Sequence, residues 1–331
     1  MIFRLDGKRS FFVVVCALLI AVEIFACVGI SIHAQSAEQD WEKAAGDKQQ
    51  FEVASVRQNK NGGPSYSNFS LDNGNAYFVI NKNDKQDPNG TLFSAKNQTL
   101  IRYIIFAYKL SGTQELALRT DYWEGLKLHV PEWVKGDRYD IEARTPQPAT
   151  KDQMRLMMQS LLQDRLKLKM RVDTRELPVY ALVLVEPGKL GPGLQRRLSG
   201  TNCIDRSSPA LGPTATDEPP GFCGDASWSG GGKMHIRMLN ATMKHFAEVL
   251  TEIGAAQGDT GGRLIVDETG LTGRFDLHLA CSPQKNITAE TGSEGQTAIE
   301  AMKTQLGLKL VKRTAPVPLY VIDHVERPSE N

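Results

Sequence analysis

An internal repeat constrains this chain more than any other feature. RYDIEAR at 138–144, DQMRLMMQSLLQDRLKLKMRV at 152–172 and PVYALVLVE at 178–186 recur, in order and at matching spacing, as RFDLHLA at 274–280, TAIEAMKTQLGLKLVKR at 297–313 and PLYVIDHVE at 318–326. Upstream, GTLFSAKNQTLIRYIIFAYKL at 90–110 parallels KMHIRMLNATMKHFAEVLTEI at 233–253. A repeat of this kind decides a fold more firmly than local propensity does.

The periodicity inside each copy names its elements. Leu100, Ile101, Ile104, Ile105 and Tyr108 fall at helical spacing, as do Met154, Met157, Met158, Leu161 and Leu162, and Met243, Phe246, Ala247, Leu250 and Ile253. Ile299, Met302 and Leu306 form a shorter stripe. Phe275, Leu277 and Leu279 alternate with Asp276 and His278, the period of a strand with one buried face. Asn97 and Asn240 precede helices and are expected to cap them. Gly270 and Gly273 are expected to turn a hairpin between LIVDET and RFDLHLA. The expected fold is α+β, two tandem pseudo-repeats, each a small antiparallel or mixed sheet packed with two helices. The lobes are placed at 51–186 and 230–327, joined by a Gly/Pro/Ser-rich linker loop at 187–229.

Composition narrows the class. Lys and Arg number 39 against 38 Asp and Glu, a net charge of +1, which argues against a strongly basic nucleic-acid binder. Hydrophobic residues at 41% supply a core, and only one apolar run is long, which argues against a multi-span membrane protein. That run, FFVVVCALLIAVEIFACVGI at 11–30, follows Arg4, Lys8 and Arg9 and precedes Ile32-His33-Ala34. Residues 1–34 therefore read as a signal peptide removed near Ala34, giving a periplasmic or secreted protein. The alternative is an uncleaved anchor over residues 11–32, the chain's single route to the membrane. Cys203 and Cys223 flank the Pro/Gly/Ser-rich stretch and are expected to form a disulfide in an oxidising compartment. Closing a loop of about 20 residues is worth roughly 3 kcal/mol. Cys281 is left over as a buried thiol, or as an exchange partner for the other two.

Searches for chemistry return little. There is no Gly-x-Ser-x-Gly elbow, His-Glu-x-x-His, P-loop or dinucleotide fingerprint. Ser282-Pro-Gln-Lys285 matches Ser-x-x-Lys only formally, in a loop. No catalytic residue, cofactor or metal is assigned. His235 and His278 both alternate with apolar residues, so packing of the repeat can bring them onto one sheet face, and a metal site there is the sharper reading of two. Asp140 and Asp276 are equivalent across the repeat and read as fold-preserving strand charges. A hydrolytic cluster of Asp267, Asp276 and His278 is the alternative. Trp123, Trp133 and Trp228 are residues that can stack on sugar or peptide; Trp133, in a turn before a strand, is expected instead to close the lobe core. Trp228, in the exposed Ser-Trp-Ser-Gly-Gly-Gly, is the better binding candidate.

FEVASVR at 51–57, PEWVKGDRYDIEAR at 131–144, ELPVYALVLVE at 176–186, LIVDETGLTGRFDL at 264–277 and VIDHVERPSEN at 321–331 carry a resemblance. Across nearly all of the mature chain, the sequence resembles an uncharacterised family of secreted proteins greatly expanded in soil acidobacteria. That resemblance implies no assigned activity. In its order of elements, the second half is also similar to the short N-terminal domain of secretins and TonB-dependent receptors. This second resemblance implies binding of other proteins through sheet edges and helix faces. The expectation is an extracytoplasmic binding or interaction protein of the cell envelope with an unidentified envelope protein as partner and no nucleic acid. The alternatives are a secreted hydrolase with its site at the lobe interface and a membrane-anchored envelope sensor.

Overall fold

A computed structural model describes residues 41–46, 48–68, 70–73, 90–120, 123, 126, 128–197, 203, 226–229, 234–257, 263–281 and 298–328; side chains at 226–229, 234 and 255–257 are not described. The chain divides into Met1–Lys48 and Gln49–Asn331. In the first unit the described residues include a helical turn at 41–45.

The first copy of the repeat runs β1 (Val53–Gln58), β2 (Tyr66–Ser67), β3 (Leu92–Thr99), α1 (Leu100–Ala107), α2 (Gly112–Arg119), α3 (Glu132–Gly136), β4 (Arg138–Arg144), α4 (Lys151–Leu166) and β5 (Lys169–Leu184). The second runs β6 (Leu194–Arg196), β7 (Ala226–Ser229), β8 (Met234–Ala241), α5 (Met243–Gln257), β9 (Leu264–Asp267), β10 (Phe275–Cys281), α6 (Ala298–Ala301) continued by a π turn (Met302–Leu306), and β11 (Leu308–His324). The fold is α+β, as expected. Its two four-stranded antiparallel sheets have the same order, β1-β4-β3-β2 and β6-β10-β8-β7. Strand β6, from the Gly/Pro/Ser-rich stretch, is thus the counterpart of β1.

Period-two burial builds these sheets. Tyr139, Ile141 and Ala143 of β4 point into one core, and Phe275, Leu277, Leu279 and Cys281 of β10 into another. Helix α4 opens with a capping box. Thr150 Oγ1 accepts from the Gln153 N–H, and Gln153 Oε1 accepts from the Thr150 N–H. It closes on Lys167 in the left-handed region, φ 52°; the equivalent residue after the π turn is Gly307, φ 70°.

The third sheet has the order β11-β5-β9. Strands β5 and β11, the last of each copy, pair antiparallel along almost their whole length. Leu177 and Val179 of β5 belong to the first core, but Leu182 belongs to the second. Leu308 of β11 lies in the second core, but Val317, Leu319 and Ile322 lie in the first. Each copy therefore sends the end of its last strand into the core of the other.

Two local expectations are corrected. Asn97 and Asn240 do not cap helices. Both sit inside strands with φ of 53° and 56°. The residue before α1 is Thr99, which makes no side-chain cap, and α5 is capped by Thr242, whose Oγ1 accepts from the His245 N–H at 3.1 Å. The Gly270–Gly273 turn does not close a hairpin, because β9 pairs with β5 in parallel and β10 lies in a different sheet.

Candidate functional site

The duplicated charges have a duplicated task. In the first copy Asp140 Oδ1 accepts from the Asn97 N–H (2.7 Å) and from Asn59 Nδ2 (2.9 Å), while Arg138 Nη1 donates to the Asn97 carbonyl (2.7 Å). In the second, Asp276 Oδ1 accepts from the Asn240 N–H (2.8 Å) and from Arg197 Nη1 (2.6 Å), while Arg274 Nη1 donates to the Asn240 carbonyl (3.0 Å). Each Arg-x-Asp clamps the peptide of a left-handed Asn at a β-bulge, where the register slips between Ala95 and Gln98 or between Phe275 and Leu277. A bulge strips the ladder of partners, and the side chains replace them. These residues hold the fold. The donors Asn59 and Arg197 were not legible from sequence, because the second copy uses a different residue type from an unaligned segment.

The face of the second sheet that carries the clamp also carries a pair that is not duplicated. His235 and His278 meet diagonally across β8 and β10, where His278 is level with Arg237 and His235 with Ala280. Nδ1 of His235 lies 3.4 Å from Nε2 of His278, and the rings lie end to end through these nitrogens, 24° from parallel with centroids 5.6 Å apart. The opposite face, with Ile236, Met238, Leu277 and Leu279, is buried in the second core, which fixes the imidazoles outward. His278 is exposed and His235 half-buried. In the first copy the same two positions hold Leu92 and Glu142, and Glu142 pairs with Lys96 at 3.2 Å in an ordinary exposed ion pair. The pairing of His235 with His278 follows from the repeat register and the alternation around each His.

Other expected residues fall elsewhere. Asp267 Oδ1 accepts from the N–H and the hydroxyl of Thr269 within its own turn, and Asp276 is engaged in its clamp. Trp123 is in the first core; Trp133 is partly buried against it, with the Arg327 guanidinium 4.9 Å from its ring centre. The backbone of Trp228 lies in β7, level with Ile236, and its side chain lies outside the described residues, as do Cys223, Ser282 and Lys285. Cys203 is half-buried and disulfide-bonded, with its partner outside the described residues, and Cys281 is a buried thiol. Among the described residues no helix is long and apolar enough to cross a membrane; the apolar run at 11–32 lies outside them.

Two further charged groups are structural. At the start of α4, Lys151 Nζ donates to Asp72 (2.7 Å), Lys109 Nζ to both oxygens of Asp152 (3.0 Å), and Arg155 to Asp152 and the Asp72 carbonyl. Lys151 and Arg155 are buried, so the carboxylates offset a desolvation cost while tying residue 72 and the turn after α1 to α4. Between α2 and α5, packing and then the neighbouring Glu248 and Glu115 carboxylates raise the Glu252 pKa above the usual range.

The second sheet of this duplicated α+β framework thus carries the His pair on its outward face. The chain belongs to the family described as "Protein of unknown function (DUF3738)", whose model matches residues 102–325, more than half of the chain. No curated protein and no solved structure matches it.

Proposed function

We propose that this protein is an extracytoplasmic binding protein of the cell envelope and that it engages an envelope protein through the outward face of the β6-β10-β8-β7 sheet. One observation carries the reading. At the diagonal where the first copy has Leu92 and Glu142, the second presents His235 end to end with His278, on a face fixed from behind by the core. Positions shared by two copies maintain the fold, and a position that differs on the same rigid frame is available for a task of its own. Export follows from the basic start, the apolar run and the site near Ala34, and pairing of Cys203 with Cys223 in the 187–229 loop fits the same compartment.

The test is crosslinking of the full chain in a native envelope, with wild type beside a His235→Ala/His278→Ala variant. The expected result is a specific protein crosslink that the variant lacks. A crosslink unchanged in a folded variant, or none in the wild type, overturns the reading.

A further inference from the structure

We propose that His235 and His278 chelate a divalent transition-metal ion, zinc above all, with two coordination positions left facing outward. This inference rests on the binding-face reading above and names the chemistry of that face.

The geometry is that of a two-imidazole site. Zinc lies about 2.0–2.1 Å from an imidazole nitrogen, so two nitrogens 3.4 Å apart subtend about 110° at a shared ion, close to the tetrahedral angle. Because the rings lie end to end, each imidazole turns about its side-chain torsions to aim its lone pair at an ion off the N–N line, without movement of the backbone. The two strands are hydrogen-bonded neighbours, and the apolar side chains flanking each His anchor them in the core. In the metal-free pair one imidazole N–H donates to the other ring; for chelation that proton moves to the far nitrogen of the same ring, so that both facing nitrogens offer lone pairs from neutral imidazoles. Two imidazoles suit zinc, copper or nickel and not calcium or magnesium, which need oxygen ligands.

Among the described residues no group of three or more His, Cys, Asp or Glu side chains converges as a closed cage. Two protein ligands make an open site, which water or a side chain of a docked partner completes. A closed structural site would need four protein ligands and would hold zinc irrespective of partners. An open site on an outward sheet face instead makes the metal part of the recognition. The Leu92 and Glu142 of the first copy cannot chelate in this way, so a single ion per chain is expected.

The experiment is titration of chelator-treated full chain with Zn²⁺ alone, read by calorimetry, and with Cu²⁺, read by electron paramagnetic resonance. The expected result is one ion per chain, weakened about tenfold or more by either His235→Ala or His278→Ala. His324→Ala and His245→Ala, whose imidazoles face Glu326 and Glu248, leave the affinity unchanged. The copper spectrum of the unaltered chain shows two imidazole nitrogen ligands, a readout that needs no variant to fold. No stoichiometric zinc binding, equal affinity in the His235→Ala/His278→Ala chain, or a spectrum with fewer than two nitrogens overturns the proposal. The envelope crosslink separates the two ideas. If it depends on the His pair while zinc does not bind, the chelate is refuted and the binding face stands. If zinc binds the pair and the crosslink ignores it, the reverse holds.

Discussion

Glu176 lies directly across the β5–β11 ribbon from Pro316, which is its own counterpart in the second repeat. Paired strands from two copies can place equivalent residues face to face only at a two-fold axis, and this pair marks it. Around the axis, the first copy's strand end reaches the second core and the second copy's strand end reaches the first. The cores are therefore coupled through the ribbon.

That coupling has a measurable consequence. Leu319 belongs to the second copy but is 1% exposed in the first core. Leu319→Ala should cost about 2–5 kcal/mol, as other buried leucines do. Urea unfolding followed by circular dichroism and by tryptophan fluorescence should give one coincident transition, shifted as a whole. Two separated transitions would show that the cores fold independently.

The clamps predict a matched pair of losses. Asp140→Ala and Asp276→Ala each strand a left-handed Asn N–H and a second donor, at a cost of about 1–3 kcal/mol each. Denaturation midpoints should fall by similar amounts for the two variants. If Asp276→Ala left stability untouched, its role would not be the one assigned here.

The helix ends predict opposite signs at equivalent positions. Lys167 bears a side chain at φ 52°, so Lys167→Gly should gain about 0.5–1 kcal/mol. A Cβ on Gly307 would lie 2.8 Å from the Gly191 nitrogen and 3.1 Å from the Lys189 carbonyl oxygen, so Gly307→Ala should destabilise. Thermal melts of the two variants check both signs.

Glu252 predicts a pH dependence. Its carboxyl fills the space a Cβ on Gly112 would take, and packing there, with Glu248 and Glu115 nearby, raises its pKa. A carboxyl raised in the folded state favours folding most when protonated, below its ordinary value of about 4.3, and loses that contribution as pH rises through the raised value. Glu252→Gln should raise the urea midpoint at neutral pH, and the gain should vanish near pH 4. A gain that persists there would come from something other than ionisation.

Much of the framework was legible because periodicity and duplication are written in the order of residues. Asp140 and Asp276 were read as fold-preserving from duplication alone, and the clamp supports that. Asn97 and Asn240 were misread because an Asn two or three residues before a helix looks like a cap. An Asn that tolerates left-handed φ inside a bulge gives the same local pattern, and only the distant Asp distinguishes them. The exchange of strand ends was invisible for a related reason. It is set by pairing between strands more than 120 residues apart in sequence, and β5 looks the same from sequence whichever core its end enters. His235 and His278 were placed on one face by alternation, but their end-to-end approach depends on the diagonal register across the bulged strands.

Duplicated residues hold the fold, and we propose that the His pair serves binding. The direct measurement is the unfolding free energy of the His235→Ala/His278→Ala chain. A value within about 0.5 kcal/mol of wild type is expected, because both side chains face outward, away from the core. A loss as large as that of Asp276→Ala would make the pair a structural element and contradict the claim.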